Sequence, residues 1–239
     1  GLIISAISAD GLNDLVERYA DQGKPVVDLI NGLSSPKITA RAAADFWDMG
    51  NRVAQYLRQL HASADEPVHV AWFPGPAGAA WVAAGDSGFR AGLEGSPIQI
   101  VTTARADTGL AAQGELVEQA IEAHPDLDYI VGTAVTAEAA VPILRKRRLT
   151  KQVQVLAYYY GPGVHRGIGR GRVLAAPTDR QALLARIALD QIARALEDKA
   201  FPRHVAPQVI VIDRNNIREF DAATTLPPRG FRPIFSVKP

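Results

Sequence analysis

An apolar run, Val68–Phe73, leads directly into a Gly/Pro turn, Pro74-Gly-Pro-Ala-Gly78, and then into a helical pattern that reaches Gly92. A strand, a tight loop and a helix within about 25 residues commit the chain to an α/β architecture. In open α/β sheets the ligand sits off the carboxyl ends of the strands, where such loops are. Between Gly75 and Ala80 no side chain is longer than proline's, so backbone is free to approach a ligand there. Trp72 and Trp81 flank this loop.

The rest of the chain repeats the alternation. Leu2–Ala6, Pro25–Ile30, Pro97–Thr103, Tyr129–Thr133, Val153–Tyr160, Val173–Ala176 and Gln208–Ile212 read as strands. Helical spacing marks Leu12–Tyr19, Ala43–Leu60, the stretch around Leu116–Ile121, Thr136–Leu144 and Arg180–Lys199, with Thr178-Asp179 as the cap of the last. Strands alternating with helices predict parallel sheets joined by right-handed crossovers. After Gly161-Pro-Gly163 only a short connection is expected.

Two aromatic groups stand out. Phe46, Met49, Val53, Leu57 and Leu60 share one helical stripe, but Trp47 lies about 200° round from Met49 at roughly 100° per residue. It needs a second surface to bury against: a ligand or a neighbouring element. Tyr158-Tyr159-Tyr160 ends a strand, so successive rings alternate faces. Gly85, Gly88 and Gly92 form a smooth side of their helix, where another backbone packs closely, with Trp81 at its start. Trp72, inside its strand, reads more readily as core than as site.

Other chemistries are missing. No Gly-Lys-Ser/Thr phosphate loop and no Gly-x-Ser-x-Gly elbow occur, and the five histidines have no metal-ligand spacing. No enzyme, cofactor or metal is expected. Cysteine is absent, which excludes disulfides and thiolate sites and suits an exported protein. A net charge of +1 argues against broad nucleic-acid or anionic-membrane binding, and Arg145–Arg148 reads as a solvated helix end. No run of 18 apolar residues offers a membrane span. A site rich in rings and poor in charge suits a methylated cationic or dipolar ligand, since ring faces attract quaternary nitrogen by about 0.5–2 kcal/mol each.

Taken in order, the segments resemble the type I periplasmic binding proteins, the ribose-binding and LacI-core superfamily. Ile3-Ile4-Ser5-Ala6, Lys24-Pro-Val-Val-Asp28-Leu, Ala44-Asp45 before a helix, Gly75 with Gly88-Phe89, and Gly171-Arg-Val with Ala175-Ala176 carry the likeness. Phe46-Trp-Asp-Met-Gly50, Pro74-Gly-Pro76, Gly132-Thr-Ala134, His165-Arg-Gly167 and Gly230-Phe-Arg-Pro233 are similar to the TorT family within it. Those are periplasmic trimethylamine N-oxide (TMAO) sensors that partner the histidine kinase TorS. The sugar binders' pocket arginine falls near Val82 or Ala83, their strand-end aspartate at Tyr159 and their hinge glutamine at Asp179. The resemblance thus implies an aromatic box, to which Trp47 and Tyr159 or Tyr160 contribute, with Asp45, Trp81, Trp72 and Asp179 as further candidates.

The expected fold is two Rossmann-like lobes with parallel sheets and a hinge. Residues 1–42 with 180–207 make an incomplete N-terminal lobe, 43–179 the C-terminal lobe, and 208–239 a hinge-crossing strand and tail. Gly1–Ala6 already reads as a buried strand. That predicts further residues upstream, and the resemblance, which begins at the family's third strand, implies roughly 80 to 100 of them, holding the remaining lobe and any export signal to the periplasm. The expected function is binding of TMAO or a similar methylated amine between the lobes, signalled to the periplasmic domain of a sensor histidine kinase. The alternatives are a binding protein of an ABC transporter for a sugar or other solute, and the core of a LacI-type repressor.

Overall fold

The computed structural model describes residues 1–64, 66–228 and 230–234. The end of the expected tail, residues 235–239, lies outside them. Two four-stranded parallel sheets organise the chain. The first holds β1 (Leu2–Ile4), β2 (Val26–Ile30), β3 (Ala40–Ala43) and β9 (His204–Val205), in the order β1-β2-β3-β9. The second holds β4 (Val68–Phe73), β5 (Ile98–Thr103), β6 (Tyr129–Gly132) and β7 (Gln154–Ala157), in the order β5-β4-β6-β7. The remaining strands, β8 (Ala175–Thr178) and β10 (Ile210–Asp213), pair antiparallel, against the all-parallel expectation.

Alternation along each strand sends neighbours into different cores. Val26 joins Ile4 and Leu33 beneath Val16 of α1 (Asn13–Asp21), whereas Val27 packs with Ala40 and Ala42 beneath Leu184 and Ala188 of α7 (Gln181–Leu196). In β4, Val68, Val70 and Trp72 face α2 (Phe46–Leu60) and α3 (Ala80–Leu93). Ala71 and Phe73 face the other way, toward α4 (Leu110–Ala123), α5 (Ala134–Arg147) and α6 (Pro162–Gly169). The second sheet is therefore covered on both faces, as a parallel sheet must be.

α2 and α3 pack along the glycine seam. A Cβ at Gly50 would strike the Gly85 carbonyl, and one at Gly88 the Trp47 carbonyl. No other residue permits so close an approach of two helix backbones.

Several expectations change. β7 ends at Ala157, so the three tyrosines follow the strand instead of closing it. The supposed connection after Gly161 is α6, with Pro162 at its start, where the missing N–H costs nothing. Thr178 Oγ1 accepts from the Arg180 N–H at 3.0 Å, while Asp179 caps nothing.

Candidate functional site

The carboxyl ends of β2, β4 and β5 and the turns after β7 and β8 converge on one cavity of about 380 Å³. One bank comes from the first sheet, through Ile7, Ile30 and Asn31. The facing bank is aromatic: Phe46 from the first turn of α2, Trp81 from the first turn of α3, and Tyr159 beyond β7. Asp107 and Thr108 approach from the loop after β5, and Asp179 and Gln181 from the junction of β8 with α7.

The rings form a connected wall. Phe46 and Trp81 lie 5.6 Å apart between centroids, and Tyr159 meets Trp81 edge to face at 6.1 Å. Tyr158 backs the wall, stacked at 6.3 Å behind Trp81, with its hydroxyl donating to the Pro74 carbonyl at 2.7 Å. Gly75 has φ +117°, and a Cβ there would come within 2.7 Å of the Trp81 ring. The bare loop thus makes room for Trp81 itself, which holds the indole over the turn.

Asp179 is the electrostatic centre. It is only 3% exposed, and its Oδ1 has no hydrogen-bond partner among the described residues. Burial pushes its carboxyl up to about 6, opposed only by its own backbone N–H. Near neutral pH the group is largely ionised, and an unpaired buried carboxylate is costly. A ligand bringing positive charge or a donor would satisfy it. Burial also raises the Tyr159 phenol, with the Thr133 side chain and Ala134 backbone acting in opposition.

Strained backbone borders the cavity on both banks. Ile30 has φ +70° and Arg180 φ +60°. A β-branched residue there is a genuine outlier, and such strain gathers at ligand clamps.

Of the residues expected from the sequence, the structure brings Trp81, Tyr159 and Asp179 together on the cavity. Trp47 does not line it; its side chain is 45% exposed, one residue from Phe46 at the same helix start. Three others are engaged elsewhere. Trp72 is wholly buried, stacked on Phe89 at 4.2 Å, and donates through Nε1 to Asp86 at 2.7 Å. Tyr160 turns to the opposite core, with its hydroxyl 2.8 Å from His165 Nδ1 and its ring on Phe220. Asp45 is exposed and caps α2, accepting from the Asp48 N–H at 2.8 Å. Phe46, Met49 and Ile30 were not anticipated as lining. Phe46 sits on the core stripe and packs partly against the core of the second sheet, so its pattern reads as core. Among the described residues no group of three or more His, Asp or Glu is placed to hold a metal, and no helix is long and apolar enough to cross a membrane.

Comparison with known proteins gives a consistent picture. A family model described as periplasmic binding protein domain matches residues 1–200. The periplasmic protein TorT of Escherichia coli (strain K12) is 31% identical over 233 residues, covering 98% of this chain; the chain spans 66% of that protein's length. An ABC transporter solute binding protein from Bradyrhizobium sp. BTAi1, solved with bound bis-tris, is 46% identical with a TM-score of 0.88, covering 98% of this chain and 70% of that one. The TorS sensor domain–TorT complex in the presence of TMAO matches at a TM-score of 0.90 and 26% identity, over 98% of this chain and 79% of that one.

Proposed function

Because the chain belongs to the periplasmic binding protein family, with its type I two-lobed fold, we propose that it binds a small methylated amine between its lobes, TMAO foremost. The carrying observation is the wall of Phe46, Trp81 and Tyr159 facing a buried Asp179 whose Oδ1 is unpaired. Rings and carboxylate both favour the positive nitrogen end of such a molecule. The oxygen of TMAO would take a hydrogen bond from the Tyr159 hydroxyl or a backbone N–H. Trp47, half in solvent beside Phe46, would bury its ring against the ligand when the lobes close.

Occupancy would then be read in the periplasm by the sensor domain of a histidine kinase. The likeness to TorT, and to the TorS–TorT complex, supports this. A bound ligand shifts the lobes toward the closed population and alters the surface offered to the kinase.

A second reading is delivery of a hydroxylated amine to an ABC transporter. The 46% identical relative with bis-tris supports it, as does the unpaired carboxylate, which suits hydroxyl and ammonium donors. Isothermal titration of the full-length protein with TMAO, bis-tris and ribose separates these. Heat with TMAO at low concentration is expected. Heat with bis-tris alone moves the assignment to the transporter class, and heat with ribose alone rejects both.

A further inference from the structure

The net charge of +1 conceals a strong segregation. Residues 139–178 hold eight Lys and Arg and no Asp or Glu; the other 199 residues hold 18 Lys and Arg against 25 Asp and Glu. Arg147 alone of the eight is neutralised, by Glu118 and Glu122. The others are exposed, and none makes an ion pair among the described residues.

The fold brings four of these charges to two adjoining hollows, the first of about 440 Å³, larger than the ligand cavity. Its floor is apolar, formed by Leu144, Val153, Val155 and Leu174, and Arg145 and Arg172 stand at its rim. A second, shallower hollow shares Arg172 and adds Arg166 and Arg170, with Glu138 as its one acid. The Arg214 guanidinium lies beside Gly171, which lines the first hollow. This face is at the amino ends of β7 and β8, whereas the ligand cavity is at their carboxyl ends.

We propose that this face is a docking surface for an acidic segment of a partner protein, one that inserts apolar side chains into the hollow between flanking carboxylates. Two features select a protein over a lipid surface or a free polyanion. The recess has a greasy floor, which a phosphate group does not need, while the arginines at its rim pair carboxylates and phosphates alike. Carrying opposite net charge, the rest of the chain repels an extended polyanion that overruns the patch.

The test titrates the full-length protein with a synthetic amphipathic helical peptide, Glu on one face and Leu on the other. Phosphatidylglycerol vesicles and inorganic tripolyphosphate are run in parallel. The peptide is expected to bind, with affinity falling at least tenfold between about 20 and about 200 mM salt. Arg145→Glu with Arg172→Glu should weaken it at least tenfold, while Arg186→Glu on α7 leaves it unchanged; melting temperatures confirm that each variant folds. Absence of peptide binding, equal binding by the double variant, or tighter binding to vesicles or tripolyphosphate than to peptide would overturn the proposal. Titration of TMAO into the double variant, expected to match the wild type, keeps this outcome separate from the proposed function.

Discussion

Trp81 and Tyr159 meet edge to face at 6.1 Å, although 77 positions separate them in the chain. One is delivered by a bare turn entering α3, the other by the turn leaving β7. Their contact fixes the middle of the aromatic bank, so removing either opens a gap in the cavity wall.

Trp81→Ala should therefore weaken TMAO at least tenfold and lower the melting temperature by several degrees, because the indole also packs on Phe46 and Tyr158. Trp47→Ala should weaken TMAO by a similar factor with almost no change in melting temperature, since its ring is already half in solvent. Calorimetry and thermal melts on the same samples read both. Unchanged affinity in Trp47→Ala would remove that residue from the site.

Asp179 couples ligand affinity and stability to pH with opposite signs. Its folded pKa of about 6 lies above its ordinary 3.8, so the native state holds the proton more tightly than the unfolded chain. The sign follows: in the unliganded protein, stability falls as pH rises from about 4 through 6, by of the order of 2 kcal/mol. Asp179→Asn should remove that slope and exceed the wild type in stability at pH 7.5. Affinity for a cationic ligand should instead drop below pH 6 in the wild type and be weak at every pH in the variant. Urea titrations and calorimetry at pH 4.5, 6 and 7.5 check both halves.

Trp72 distinguishes core from site. It touches Phe89 and Tyr158 and donates to Asp86, which also accepts from Arg90 and Arg105. Trp72→Phe should cost about 1–3 kcal/mol of stability through lost volume and the lost donor. Ligand affinity of the folded variant should stay within about twofold, as measured by calorimetry below the unfolding transition.

Gly88→Ala tests the seam between α2 and α3. The new methyl would press on the Trp47 carbonyl and the Asn51 N–H, both backbone groups that cannot swing aside. A loss of about 1–3 kcal/mol is expected in urea unfolding. Because Phe46 and Trp47 ride on the displaced turn, ligand affinity should fall as well, although neither ring is altered.

The strong signals in the sequence were those of repeated physical patterns. Val68–Phe73 is an apolar run, as suits a strand that the fold covers on both faces, and the glycines of α3 mark where backbones touch. β3 was hidden because Ala-Arg-Ala-Ala carries no β-branched residue. α6 was hidden because Pro-Gly-Val-His-Arg-Gly-Ile-Gly reads as turn until Val164 and Ile168 find a core to bury in. At the site, the tyrosine triplet signalled an aromatic patch, but which ring faces the cleft depends on where β7 stops. The strained φ of Ile30 and the unpaired oxygen of Asp179 leave no mark on composition or spacing: the first belongs to a tight turn in which the Asn31 N–H donates to the Leu29 carbonyl at 2.9 Å, the second depends on what the fold packs round the carboxyl.

The glycine seam has one more consequence. Phe46 and Trp81 open two helices whose backbones are welded along that seam, so their rings share a single rigid mount. Such an anvil will not remodel itself around bulkier guests. Under the proposed binding, the size of solute admitted would be set by the opposite bank, and changes that broaden or narrow the repertoire should map to Ile7, Ile30 and Asn31.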